Sequence, residues 1–217
     1  MVTYLLKKSY QLRDLKEVEF KDLWGDHGVF TTMWICGSPA KILFFKEHIN
    51  NLIKSAKVYR ISKLFLKSSI LKLIKKNLDT NKKYNHLLRI ALNKNLLSIS
   101  LRKRIKPILN FDLKLVELKR HNPEFKNLKY KEILKHLSKL DNSKSDIALC
   151  SDNKIYETGT SNILLIKDEK IFSPANKFYQ GVTYKFFKSK INKITKKDIL
   201  INSLKEFDEI ILIGSGK

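Results

Sequence analysis

Between Asp146 and Phe172 the chain reads "DIALCSDNKIYETGTSNILLIKDEKIF", short apolar runs broken by two tight polar turns, Asp152/Asn153 and Asp168/Glu169. Runs of this kind bounded by Asn and Asp predict short strands, and their succession gives a β-rich core unlike a Rossmann or flavodoxin alternation. One stretch inside it, "IYETGTSNILLI" from Ile155 to Ile166, departs from simple core patterning. Ile163 to Ile166 read as a buried strand. Glu157, followed by small hydroxyl and amide residues, sits where that strand begins, and a polar head entering a core needs partners.

Upstream, after an unpatterned start, "GVFTTMWICGSPAKILFF" alternates like a β-hairpin with Gly37, Ser38 and Pro39 as its turn. Helices are predicted over 46–59 and 63–78, then strands over "HLLRIALN" and "LLSISLRKRI". Pro107 and Asn110 mark a junction, after which "FDLKLVELK" is a strand and the loop "RHNPEF" leads to a helix over 127–140. A helix over 183–191 and a last strand, "EIILIGS", follow. The reading is therefore α+β, with an N-terminal α/β domain over 1–108 and a β-rich C-terminal domain with helices over 109–217.

The net charge of +23, from 44 Lys and Arg against 21 Asp and Glu, would ordinarily point to a polyanionic partner. The lysines, however, are spread through almost every segment beside many Asn and Ile, which AT-rich codons produce whatever the function. No RNP, KH, zinc-finger or helix-turn-helix pattern accompanies them, which argues against nucleic acid as a partner. Cys36 and Cys150 stand far apart with no CxxC or His/Cys cluster, so neither a zinc site nor a disulfide framework is indicated. No apolar run approaches membrane-span length and the N-terminus lacks a signal-peptide pattern, so a cytoplasmic location is expected.

Set in order, the landmarks are "DHGVFTT", "HINNLIKSAKVYRI", "FKNLKY", "ETGTSNILLI" followed by "SPA", "GVT" and "LIGSG". This series resembles the fold-type IV pyridoxal phosphate enzymes, which include branched-chain and D-amino-acid aminotransferases and aminodeoxychorismate lyases. The resemblance covers nearly the whole chain. It implies a two-domain fold like that of D-amino-acid aminotransferase, pyridoxal 5'-phosphate as cofactor, a small-molecule substrate and a homodimer.

The resemblance also implies roles for particular residues. A carboxylate against the pyridine nitrogen keeps that nitrogen protonated, and the family's carboxylate falls on Glu157. The phosphate loop maps onto Gly181, Val182 and Thr183, where backbone N–H groups and a hydroxyl meet at a helix start, with Ser215 as a second contact. Two lysines compete for the covalent attachment of the cofactor, Lys126 and Lys129. Lys126, four residues before Tyr130, fits the family's spacing, and extending the apolar face of Tyr130, Ile133, Leu134 and Leu137 backwards places position 126 near its middle.

The first half departs from the family pattern. Where members carry an arginine three residues after the histidine of the "HxxRL" helix, this chain has "HINNL", with Asn51 in the arginine's place and Lys54 one turn on as the nearest cation. His48 itself reads as a helix-start or packing residue. Relatives usually continue beyond "LIGSGK" through one or two further strands. "VFTT" resembles the lyases, where aminotransferases more often carry "VFET", and makes Thr31 or Thr32 a candidate substrate contact. The expected activity is an aminodeoxychorismate lyase of folate biosynthesis, yielding 4-aminobenzoate and pyruvate. The alternatives are a branched-chain or D-amino-acid transaminase of the same fold, and a degenerate non-catalytic member or basic nucleic-acid-binding protein.

Overall fold

The structure, a computed structural model, describes residues 3–61, 65–191 and 193–216. Contacts divide the chain into two units, Met1–Arg104 with Lys126–Tyr130, and Ile105–Phe125 with Lys131–Lys217.

The first unit is built on a six-stranded antiparallel sheet. Its strands are β1 (Tyr4–Gln11), β2 (Glu17–Val18), β3 (Gly28–Gly37), β4 (Lys41–Ile42), β5 (Tyr84–Asn93) and β6 (Leu96–Lys103), in the order β2-β1-β6-β5-β3-β4. The unpatterned start of the sequence is thus a strand. Two adjacent lysines interrupt its alternation, and register with β6 from Leu6↔Leu101 to Gln11↔Leu96 supplies what its own pattern lacks. In β3 the alternation is clean. Val29, Thr31, Met33 and Ile35 point one way and are buried, while Phe30, Thr32 and Trp34 point the other.

Helix α1 (Phe45–Val58) buries His48, Ile49, Leu52, Ser55 and Ala56, a stripe at helical spacing, and α2 (Leu66–Asn77) does the same with Leu66, Ser69, Ile70, Leu73 and Ile74. Each large aliphatic in these stripes contributes roughly 1.5 to 3 kcal/mol on burial. The expected start of α2 at 63 lies outside the described residues.

The second unit holds two four-stranded sheets. One runs β13 (Ile199–Leu200), β9 (Lys154–Thr158), β8 (Ser145–Ser151), β7 (Asp112–Glu117), and the other β12 (Ile194–Lys197), β11 (Lys170–Pro174), β10 (Asn162–Lys167), β14 (Glu209–Ile213). Ala148, Cys150, Ile155, Ile163, Leu165 and Ile199, drawn from both sheets, form a shared core. The two turns read from the sequence are present: Asp152 and Asn153, then Asp168 and Glu169, all have positive φ between 49° and 58°. Two successive residues of that kind make a turn whose twist matches the flanking strands. Helix α4 (Val182–Lys190) opens one residue before the predicted start, and β12 and β13 were not foreseen.

The predicted helix over 127–140 is shorter than expected. Only α3 (Lys131–Leu137) is helical. Residues 126–128 instead run extended beside β3: the Phe30 N–H donates to the Lys126 carbonyl at 2.9 Å, the Leu128 N–H donates to the Gly28 carbonyl at 2.9 Å, and Val29 bridges Asn127. Asn127 and Leu128 are fully buried there. The helical-phase argument for Lys126 therefore fails, because position 126 lies on no helix. Sheet pairing along the edge of β3 satisfies backbone groups that a helix would otherwise have taken up.

Candidate active site

In the second unit Glu157 lies on β9 and is almost wholly removed from solvent, as is Arg120 from the loop after β7. Arg120 Nε lies 3.0 Å from Glu157 Oε1, with the two side chains 4% and 7% exposed. The guanidinium also donates to the carbonyls of Pro123 and Phe125, so the loop backbone holds it in place. Glu157 Oε2 accepts the Tyr179 N–H at 3.3 Å. The Arg120 guanidinium supplies the counter-charge that a carboxylate this far from water needs. The polar head of the motif thus has partners.

The rest of the motif is held by a residue that sequence reasoning missed. Asp146, fully buried at the start of β8, accepts the hydroxyls of Thr158 at 3.0 Å and Thr160 at 2.6 Å, and its own next N–H, from Ile147, at 2.8 Å. Thr158 Oγ1 in turn accepts the Ser161 N–H at 2.9 Å. Gly159 fits because a Cβ there would come within 2.8 Å of Ile147 Cγ1 and 2.9 Å of Asp146 Oδ1.

Gly181 caps the start of α4, its N–H donated to Asn162 Oδ1 at 3.0 Å. The Asn162 amide donates in turn to the Tyr179 carbonyl, tying the loop to β10. Thr183 Oγ1 and Ser215 Oγ lie 3.3 Å apart, so hydroxyls from the helix start and from the C-terminal segment converge. The first-turn N–H groups of α4, those of Val182 and Thr183 among them, have no intrahelical acceptor. A helix start with adjacent hydroxyls presents the kind of donors that an anion such as phosphate would need. Hydrogen bonds through Tyr179 and Asn162 link Glu157 to Gly181, and the paired hydroxyls of Thr183 and Ser215 lie at the helix start that Gly181 opens.

The remaining candidates belong to the first unit. Lys126 is half-buried with its Nζ 5.2 Å from the centre of the Phe30 ring. Lys129 is exposed and donates to the Gly25 carbonyl at 2.8 Å. Phe30 meets Trp24 edge-on at 4.8 Å and Tyr130 at 5.5 Å, and Trp24 stacks on Tyr130 at 5.7 Å. Three rings therefore cluster beside the Lys126 amine.

Thr31 turns to the helix side, where its hydroxyl and His48 Nδ1 are 2.9 Å apart and both residues are buried. Burial, then the positive charge of Lys126, lowers the His48 pKa to about 3, so this imidazole is neutral. Thr32 points to the opposite face, in register with Arg89. Of the two threonines, only Thr32 shares the Phe30 face. On α1, Asn51 is half-buried and Lys54 exposed.

Arg120 and Asp146 went unread in the sequence. Arg120 carried one usable signal: only six of the 44 basic residues are arginine, and its planar fork suits a buried carboxylate better than lysine does. The Cys150 thiol is simply buried, and burial pushes its pKa up. No described helix is long and apolar enough to cross a membrane.

Residues 28–217 match the family described as amino-transferase class IV. No curated protein matches the chain in sequence. Among solved structures, a branched-chain aminotransferase from Thermoproteus uzoniensis is 15% identical, with a TM-score of 0.75 over 96% of this chain and 84% of its own. A mutant branched-chain amino acid aminotransferase from Thermobaculum terrenum is 12% identical with a TM-score of 0.75, over 96% and 81%. A candidate 4-amino-4-deoxychorismate lyase from Haemophilus somnus is 17% identical with a TM-score of 0.66, over 87% and 96%. At these identities the structural likeness speaks for the fold, and the family match, which spans most of the chain, speaks for descent. The chain belongs to the class IV aminotransferases, a family of pyridoxal phosphate-dependent enzymes.

Proposed function

We propose that the protein is an aminodeoxychorismate lyase that uses pyridoxal 5'-phosphate and releases 4-aminobenzoate and pyruvate. The residues present fit the cofactor. The α4 start with the converging hydroxyls of Thr183 and Ser215 suits a phosphate dianion, and the Glu157 carboxylate suits a protonated ring nitrogen. When bound, the cofactor supplies a cationic ring that draws electrons from the carbon bearing the substrate's amine.

In this reading Lys126 carries the cofactor and then acts as the base that removes the proton from the amine-bearing carbon. The C–O bond to the enolpyruvyl group breaks with its electron pair on oxygen, the ring becomes aromatic, and the departing enol takes up a proton to become pyruvate. Glu157 holds the proton on the cofactor's ring nitrogen, while Arg120 and the Tyr179 N–H fix the carboxylate. Gly181, Val182, Thr183 and Ser215 hold the phosphate, with Asn51 and Lys54 in the place of the family's arginine. Thr32 supplies a hydroxyl on the Phe30 face.

The observation that carries the lyase reading is the cluster of Trp24, Phe30 and Tyr130 next to Lys126, which gives that amine an aromatic neighbourhood. The threonine pair of "VFTT" accords with it. The second reading, a transaminase of the same fold, is favoured by the branched-chain aminotransferases among the similar structures. A cytoplasmic homodimer belongs to either reading, and sedimentation tests the assembly.

Mixing the purified protein with pyridoxal phosphate should give a yellow chromophore that borohydride bleaches. Supplied with aminodeoxychorismate, the loaded protein should then release 4-aminobenzoate and pyruvate faster than it moves amino groups from common amino acids to 2-oxoglutarate. The reverse order of rates would establish the transaminase reading, and no chromophore at large cofactor excess would end both.

A further inference from the structure

An arginine drawn out of water needs an opposite charge, and in this chain Arg89 is paired with Asp22 and Arg120 with Glu157. Arg102 and Arg104 depart from that rule. Both are half-buried, and neither lies within ion-pair distance of a carboxylate among the described residues. Sheet register explains why. No residue that β1, β3, β5 or β6 places on the face of Phe30, Thr32 and Trp34 is acidic. Of the carboxylates in the segment before β3, Asp22 is taken by Arg89 and Asp26 by Asn93.

On that face Trp34, Leu87 and Arg102 stand in one row across β3, β5 and β6, and Leu87 is buried between the other two. Arg104 continues the line of β6. Its N–H donates to the Asn85 carbonyl at 3.1 Å, and its guanidinium carbon lies 4.4 Å from the centre of the Trp34 ring. The ring is fixed in turn, with Nε1–H donated to Asn85 Oδ1 at 3.0 Å. Arg104 is thus held against an aromatic face, while its Nε is shielded from water and has no hydrogen-bond partner among the described residues. Burial lowers the Arg102 pKa from its ordinary value, Tyr4 opposes that shift, and the charge of Arg89 adds to it.

We propose that Arg102 and Arg104 form an anion site of the first unit, made of residues other than those at the α4 start, that takes a phosphate group, either free phosphate or that of a small phosphate monoester. The donors set the charge of the ligand. Elsewhere in the chain one carboxylate satisfies one buried arginine, as Glu157 does Arg120. Two half-buried arginines without a carboxylate match a double charge, and the several oxygens of a phosphate let both planar forks donate at once. Residues two apart on a strand have Cα atoms about 7 Å apart, a span that two arginine side chains close readily around one compact dianion. The proposal depends on no reading of the catalytic activity.

The test reads Trp34, because its ring touches Arg104 and an anion at the α4 start would not report through it. The chain has two tryptophans, so Trp24→Phe leaves Trp34 as the one indole. Inorganic phosphate and phenyl phosphate, titrated into that protein at fixed ionic strength, should each give a saturable change in Trp34 fluorescence that sodium chloride does not give. Tighter binding of phenyl phosphate would assign the site to a monoester, and equal affinities would assign it to free phosphate. Arg102→Gln and Arg104→Gln should each weaken binding on the order of ten-fold, the loss of a charge-assisted bond. Circular dichroism checks that each variant is folded, and where a glutamine variant is not, Arg→Lys at the same position, which keeps the charge and loses the fork, should weaken binding several-fold.

The proposal is overturned if neither phosphate changes the Trp34 signal, if chloride changes it equally, or if affinity is the same in the arginine variants. Succinate binding as tightly as phosphate would overturn the assignment to phosphate chemistry. None of these outcomes depends on whether the protein forms the cofactor chromophore.

Discussion

Arg120 Nε lies 3.0 Å from Glu157 Oε1 in a region almost closed to water, joining a loop residue to a strand residue 37 positions later in the chain. Removing one partner of such a pair leaves the other charge buried without compensation, which typically costs about 3 to 5 kcal/mol. Arg120→Met should therefore lower unfolding stability by that order in a denaturant titration, and the double variant Arg120→Met/Glu157→Gln should recover a large part of the loss. Purely additive losses would mean that the two side chains do not act as a pair.

Lys126 and Lys129 differ in what surrounds the amine. Lys126 Nζ sits over the Phe30 ring, whereas Lys129 Nζ is exposed and donates to the Gly25 carbonyl. Peptide mapping after borohydride reduction should find the pyridoxyl group on Lys126, and Lys126→Ala should abolish the label. A label on Lys129 would instead move the site along the segment by three residues.

His48 is neutral in the folded protein, its pKa lowered from 6.5 to about 3 by burial and by the charge of Lys126. Because the folded value is depressed, the stabilisation is complete above the unfolded value of 6.5 and is lost as pH falls from there towards 3, where the unfolded chain binds a proton that the folded chain refuses. In that window stability should fall by up to about 1.4 kcal/mol per pH unit on account of this residue. His48→Asn, which can keep a hydrogen bond to Thr31, should flatten the decline measured between pH 7 and pH 4. Equal slopes in the two proteins would show that His48 is not the titrating group.

In the proposed site Asn51 stands in for the family's phosphate-binding arginine, with the exposed Lys54 one turn along α1. A charge-assisted bond contributes about 1.5 to 3 kcal/mol where a neutral one gives about 1, so Asn51→Arg should tighten cofactor binding several-fold in a titration. Lys54→Ala should loosen it. Silence from both variants would mean that this face of α1 does not meet the phosphate.

The sequence by itself determined the elements whose cause is local. The β3 alternation, the helical stripes of α1 and α2, and the turns at Asp152/Asn153 and Asp168/Glu169 all follow from residue spacing and turn chemistry, and the structure has them where the spacing put them. The order of the motifs from "GVFTT" to "GVT" likewise carried the family. Tertiary structure decided what depends on distant partners. Residues 127 and 128 read as the start of a helix with Lys126 just before it, yet the open edge of β3 drew 126–128 into sheet pairing, since two strands can satisfy backbone groups that sequence periodicity assigns to one helix. The face on which each threonine of "VFTT" lies was settled when α1 brought His48 to Thr31. Arg120 and Asp146, the residues that hold Glu157 and the turn after it, could not be picked out among 44 basic and 21 acidic residues, because an ion pair or a buried carboxylate is defined by proximity in space and leaves no period along the chain.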